Sequence, residues 1–370
     1  MESINTKTNF QNLFSGMLAK LTEREQEVLK RRYQLTADIE ESATLKEIGD
    51  VYDITRERVR QIERDAIRKI VELAKTEEFS RELKSLEAAY VNYLERHGGV
   101  VREDRLLNDY VKQNHNFGAW RENAYLFALE HLFESTEKVE DHDYFYPVWV
   151  HQNIDLESIA GLMLKLENVL QVEKKLLQEQ EIIELAKQHL DNALKERIEA
   201  YLAKHSDLNL ENLLGSYLSA TSKIENNIMN QWGLAEWETI RPKKLSDKIR
   251  LVFQKENAPL HFSDIAQKIA DARFDHKNIC PATVHNELIA NPVFVLIGRG
   301  VYAMKDWGYS EGTVADIVAR ILKNAGRPLD REEIYSEVLK QRKVNKATIY
   351  LALINKDKFG KEEDGKFKLV

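Results

Sequence analysis

The sequence predicts a mainly α chain: an N-terminal helix-turn-helix followed by tandem winged-helix (α+β) modules. Three observations carry that expectation. Glycine and proline number only 15 and 6 among 370 residues, too few for a turn-rich β protein or a linker-dominated one, while Glu, Lys, Leu, Ala and Ile favour helices. Two Thr-x-x-Glu signatures, Thr22 with Glu25 and Thr44 with Glu47, open helices in close succession. Residues 245–305 and 311–370 repeat one plan, which marks tandem modules and not a solenoid of small units.

The first helix runs from Thr22 to Tyr33. Glu23 and Glu25 suit the positive end of its dipole, and Leu21, Val28 and Leu29 give it one apolar stripe. A polar loop, 36–42, leads to a second helix whose expected buried positions are Leu45, Ile48 and Val51. Asp53-Ile54-Thr55 breaks it, and Thr55 caps a third helix that continues to Ile70. Val59, Ile62, Ala66 and Ile70 recur there at helical spacing and form the packing face. The opposite face holds Arg56, Glu57, Arg60, Gln61, Arg64 and Arg68. A short helix, a three-residue turn and a second helix with a polar-basic face form a helix-turn-helix. Arg suits guanine edges, Gln suits adenine, and Glu accepts from the cytosine amino group. A solvated helical hairpin would carry the same charges, but not this combination of turn, caps and Arg-Glu-x-x-x-Gln spacing.

Further along, residues 81–97, 103–113 and 120–133 read as amphipathic helices and 144–150 as a strand, a degenerate winged helix. Residues 167–205 carry a long helical pattern, one helix or two, and 212–237 end in a wing whose Trp232 and Trp237 belong to a core. In the repeat, Pro259 aligns with Pro328, Thr283 with Thr348, Phe294 with Phe359 and Gly300 with Gly365. Each copy reads as three helices followed by two strands joined at a glycine. The expected organisation is a lead segment (1–19), the helix-turn-helix (20–73), a degenerate winged helix (77–155), a helical strut with a winged-helix-like module (156–240) and two winged helices (241–308 and 309–370).

The net charge of −7 argues weakly against a nucleic-acid partner, yet it is unevenly spread. Residues 1–72 carry 13 basic and 14 acidic side chains, 73–240 carry 17 and 30, and 241–370 carry 24 and 17. Phosphate repulsion makes DNA contact by the middle segment unfavourable, whereas the ends are free to meet it. The lone Cys280 forms no internal disulfide, no secretory signal is visible, and no apolar run approaches the ~20 residues of a membrane span. A cytoplasmic, nucleoid-associated protein is therefore expected. No phosphate-binding glycine loop and no His-Glu-x-x-His is present. His276 to Cys280 lacks further ligands, Asp141-His142-Asp143 reads as a polar turn, and His97, His115 and His131 have no nucleophile at a useful spacing. The expectation is no enzyme, no metal, no cofactor, no small-molecule substrate and no membrane partner.

Residues Leu21 to Ile70 resemble region four of the sigma-70 family of bacterial transcription initiation factors. The likeness lies in Leu21-Thr22-Glu23-Arg24-Glu25, in Thr44-Leu45-Lys46-Glu47-Ile48-Gly49, and above all in Thr55-Arg56-Glu57-Arg58-Val59-Arg60-Gln61-Ile62-Glu63. It implies a domain that reads the −35 promoter element in the major groove of double-stranded DNA and docks on the β flap of RNA polymerase. By position, Arg56, Glu57 and Gln61 would read base edges. Thr44, Thr55, Arg58, Arg60 and Arg64 would hold or steer phosphates, and the helix from Thr22 to Tyr33 would face the polymerase. The family usually has glycine where this chain has Gln34. Only twenty residues precede Leu21, so a complete sigma factor is not expected.

The first C-terminal copy resembles the HARE-type winged helix, found also in the δ subunit of some bacterial RNA polymerases, through Pro259-Leu260-His261-Phe262, Ile265-Ala266 and Gly298-Arg299-Gly300-Val301-Tyr302. In the second copy, Lys346 on its third helix and the wing lysines Lys361, Lys366 and Lys368 are candidates for DNA phosphates; protein contact is the other use of such a module. The leading expectation is a promoter-binding transcription factor that contacts RNA polymerase. Its rival is a δ-like polymerase-associated protein that docks without reading DNA. A recognition subunit of a restriction or defence system ranks third.

Overall fold

A computed structural model describes residues 10–115, 117–272, 274, 279–309, 312–355 and 357–370. The chain divides into two units, Met1–Glu225 and Asn226–Val370. In the first, local capping chemistry sets the helix starts. The Glu25 amide donates to the Thr22 hydroxyl (3.4 Å) while the Thr22 amide donates to the Glu25 carboxylate (3.0 Å), opening α2 (Glu23–Tyr33). Thr44 and Glu47 repeat that exchange at 3.2 and 2.7 Å to open α3 (Leu45–Tyr52). Thr55 accepts from the Arg58 amide at 3.2 Å and caps α4 (Arg56–Ala74). Val28, Ile48 and Val59 meet at the centre of the three helices, with Leu45, Tyr52, Ile54 and Ile62 packed around them. Val51 does not join them: it is 61% exposed. Tyr52 takes the inward place on that last turn, its ring 5.6 Å from the Arg24 guanidinium.

Gln34 ends α2 in the left-handed region (φ 51°, ψ 48°), the conformation that the glycine usual in the family adopts without strain. Its side chain offsets that strain by donating to the carbonyls of Ile39 (3.3 Å) and Glu40 and accepting from Asn123 (3.3 Å). Gln34→Ala and Gln34→Gly both lose these bonds, but only alanine keeps the strain. The glycine variant should therefore be the more stable of the two by about 1 kcal/mol in urea titrations. Equal stabilities would refute the strain.

The lead segment is more than a leader. Residues 10–18 form α1 (Phe10–Leu18), which buries Phe10, Leu13, Phe14, Met17 and Leu18. These join Leu29 of α2, Ile70 of α4, Tyr90 of α5 (Glu77–Arg96), Tyr125 and Trp149 in one continuous core. Past α5 come β1 (Val100–Arg102), a helical stretch to Asn114 that includes a π-turn over Leu106–Val111, and a helix at Asn123–His131. Strands β2 (Thr136–Val139) and β3 (Val148–His151) complete an antiparallel sheet of order β1-β3-β2. The strand expected over 144–150 is shorter; Phe145 makes a separate bridge to Thr221. Asp141-His142-Asp143 lies in the β2–β3 loop, where the Tyr144 amide donates to His142 at 3.0 Å. The helical pattern of 167–205 is cut by Lys174 (φ 50°) and Leu190 into parts of three helices, Leu156–Glu173, Glu179–His189 and Asn192–Lys204. A further helix, Leu210–Ala220, follows.

The second unit holds the two repeats. Helices Leu245–Glu256, Phe262–Ala272 and Pro281–Ala290 enclose Ile249, Phe253, Ile265 and Leu288, and strands Phe294–Gly298 and Val301–Met304 pair behind them. Helices Val314–Ala325, Arg331–Gln341 and Lys346–Leu353 enclose Ile317, Ile334 and Ile349, beside the pair Phe359–Lys361 and Phe367–Leu369. The aligned Phe294 and Phe359 are both buried, and the aligned Gly300 (φ 69°) and Gly365 (φ 88°) both make the hairpin turn. Trp232 is buried as expected, whereas Trp237 is only half-buried. Of the His276 to Cys280 fragment, His276 lies outside the described residues and Cys280 is exposed. Among the described residues no helix is long and apolar enough to cross a membrane, and no cluster of three His, Cys, Asp or Glu could hold a metal ion.

Candidate nucleic-acid interface

The turn between α3 and α4 is fixed by backbone contacts. Asp53 ends α3 in the left-handed region (φ 51°), and both its amide and that of Ile54 donate to the Gly49 carbonyl. This sharp turn aims the first two turns of α4 away from the core. Arg56, Glu57, Arg58, Arg60, Arg64 and Arg68 are exposed there, and Gln61 is half-buried beside them. Val59, Ala66 and Ile70 point inward, so the packing face and the polar face are those expected from the spacing.

The polar face is a connected network. Arg58 donates to the Gln61 side-chain oxygen at 3.1 Å, and Gln61 donates to Glu57 at 3.5 Å. Glu57 also accepts two bonds from Arg60, at 2.7 and 2.8 Å. The Arg60 guanidinium holds the Glu57 carboxyl below its ordinary value, and Glu57 in turn raises Arg60. Exposed pairs of this kind are weak and exchange readily for a base edge or a phosphate. Arg56 makes no ion pair among the described residues, so its fork is free at the helix N-terminus. Arg64 and Arg68 share Asp65 at 3.4 and 3.7 Å. Behind the face, Lys69 binds Glu25 at 2.6 Å and Arg32 binds Glu63 at 3.3 Å, fastening α4 to α2. Burial pushes the Glu25 carboxyl up, but the bonds from Lys69 and Thr22 outweigh it and bring the group below its usual range.

The structure thus brings Arg56, Glu57, Arg58, Arg60, Gln61 and Arg64 together on one helix face. Thr44 and Thr55 cap the two helices of the motif, each accepting a backbone bond and keeping its hydroxyl hydrogen to donate. Lys346 and Lys366 belong to the second repeat, in the other unit, and both are engaged: Lys346 with Glu332 at 2.7 Å and Lys366 with Asp364 at 2.8 Å. Two α2 cations were missed as members of the motif. Arg24 reaches the Tyr52 carbonyl at 3.5 Å, and Arg31 is raised chiefly by its bond with Tyr52. Their seven-residue separation, which puts both on one helix face, was the available signal.

Residues 17–72 match the family model of sigma-70, region 4. That region is a DNA-binding helix-turn-helix that contacts RNA polymerase. RNA polymerase sigma factor SigA1 of Synechococcus elongatus is 49% identical over 55 residues, covering 15% of this chain and 13% of that protein. RNA polymerase sigma factor SigA of a Bacillus species is 50% identical over 54 residues, covering 15% of this chain and 14% of that protein. The chain therefore spans about a seventh of the length of these curated relatives.

Proposed function

We propose that this chain is a DNA-binding transcription factor that reads a −35-like promoter element through α4 and contacts RNA polymerase. The observation that carries the reading is the open face of α4, where the free fork of Arg56 stands beside Glu57 and Gln61. These are the side chains whose donor and acceptor patterns discriminate base edges in the major groove. Arg58, Arg60 and Arg64 flank them and serve the phosphates, with Thr44 and Thr55 at the helix starts. The polymerase side is more restricted than the resemblance implies. Within α2 only Glu23 and Arg24 are exposed, because Glu25, Val28 and Leu29 are buried and Tyr33 packs against Phe127 and His131. A flap contact would use that first turn and the neighbouring exposed Val51. The repeats act as winged-helix modules of the HARE type in this reading, and no catalytic step is assigned to any of them.

Titration of a −35-like duplex against a scrambled one tests base reading. Arg56→Ala and Gln61→Ala should each lower the discrimination about tenfold while leaving affinity for the scrambled duplex nearly unchanged. Arg64→Ala should weaken both duplexes alike and shrink the salt slope by about 1. If both base-reading variants kept the wild-type preference, the assignment would fail. Binding to core polymerase with no preference by the wild-type chain would establish the δ-like alternative instead.

A further inference from the structure

The second repeat carries a cleft that promoter reading does not use. It lies between helix Lys346–Leu353 and the terminal hairpin, encloses about 570 Å³, and is lined by Tyr350, Leu353, Ile354, Phe359 and Phe367, with Arg331 and Lys361 at its mouth. We propose that this cleft binds an acidic segment of a protein partner, seating one bulky apolar side chain on the aromatic floor and its flanking carboxylates on Arg331 and Lys361.

Three observations converge on that occupant. First, the surface is apolar where a groove-reading helix would be polar. Leu351 is 69% exposed, Ile354 49% and Tyr350 42%, and Val370 extends the patch on the hairpin side. Water-exposed apolar side chains clustered beside a concavity mark a protein-binding surface, and an aromatic-lined pocket of a few hundred Å³ accepts one anchor side chain.

Second, the charges have been sorted. Lys346, Lys358, Lys366 and Lys368 are each tied to a carboxylate, Glu332, Asp316, Asp364 and Glu362, at 2.7 to 2.9 Å. Arg331 and Lys361 are not in any ion pair among the described residues. Both cations at the mouth of the cleft are thus left without a carboxylate among the described residues, so an incoming acidic segment is complementary there and a basic one is repelled.

Third, both cations are held over the aromatic floor. The Arg331 guanidinium lies 5.8 Å from the Tyr350 ring centre and 5.9 Å from that of Tyr335, and the Lys361 ammonium lies 6.0 Å from that of Phe367. A ligand that presents a carboxylate next to an apolar group meets both features together, which a phosphate backbone does not.

A random dodecapeptide library displayed on phage tests the proposal with the full-length chain. Selection is made on the wild type, with counter-selection on the Arg331→Glu/Lys361→Glu variant; both positions are exposed, so the fold is kept. The enriched peptides should carry net negative charge around an aromatic or branched aliphatic residue. By fluorescence anisotropy they should bind the double variant at least tenfold more weakly. Leu351→Asp, at another exposed position, should weaken them severalfold. Enrichment of basic or charge-neutral sequences would overturn the proposal, as would an unbiased pool or equal affinity for wild type and double variant. A labelled duplex supplies the nucleic-acid arm. If Arg331→Glu/Lys361→Glu weakened duplex binding tenfold while peptide affinity stayed unchanged, the cleft would be a DNA site and the proposal wrong.

Discussion

Gly49→Ala should destabilise the helix-turn-helix by roughly 2–3 kcal/mol and abolish promoter-duplex binding near the melting temperature of the variant. The sign is the informative part. At an exposed position inside a helix the same exchange is worth about 1 kcal/mol of stabilisation, because alanine is the better helix former. Gly49 sits in α3 where the chain folds back, and a Cβ there would lie 2.6 Å from the Ile54 carbonyl oxygen and 3.6 Å from the Arg56 nitrogen. The obstacle is backbone, not the free end of a side chain, so relief requires moving the turn itself. That turn carries the Thr55 cap and the first residue of the polar face of α4, and its two amide bonds to the Gly49 carbonyl would be stretched as α3 and α4 separate. Urea titration followed by circular dichroism measures the loss, with Lys46→Ala, at an exposed position of the same helix, as the control that should change by less than about 0.5 kcal/mol. A Gly49→Ala protein as stable as the control would remove close helix approach as the reason for glycine at this position.

The helix-turn-helix was legible because its determinants are local. Each cap joins residues three apart, the turn spans three residues, and the packing face of α4 repeats every three or four. What the sequence hid depends on distant partners. Phe10, Phe14 and Met17 look like part of an unstructured leader until Tyr125, Phe127 and Trp120, more than a hundred residues away, supply the surface that buries them. Val51 has the right spacing to be buried, but the helix ends one residue later and its inward place goes to Tyr52. The lysines of the second repeat show the same limit in electrostatics. A count of basic residues treats Lys346, Lys366 and Lys361 alike, whereas among the described residues only the last is free of a carboxylate. Charge tells where anions are attracted only after the ion pairs have been subtracted.

His115→Phe should make the first unit far less sensitive to acid, because the imidazole sits in an aromatic core. Its ring stacks 4.7 Å from that of Tyr125, with Phe10, Tyr110 and Phe117 around it, and among the described residues neither ring nitrogen has a hydrogen-bond partner. Burial alone drives its pKa down from 6.5 to about 4, with no charged neighbour contributing. Between those two values the unfolded chain takes up a proton that the folded chain refuses. Stability therefore falls as the pH falls through that window, by about 3 kcal/mol at its lower end relative to neutral pH. The first element to respond should be α1, whose Phe10 packs directly on the imidazole. Amide hydrogen exchange across Phe10–Leu18, corrected for intrinsic rates, should show protection lost in the wild type between pH 6.5 and 4.5 and largely kept in His115→Phe. His131, whose pKa is also lowered by burial against the opposing pull of Glu130 and Glu63, is present in both proteins, as are all the carboxylates. The difference between the two pH profiles consequently isolates one group, and parallel profiles would mean that His115 takes up its proton without leaving the core.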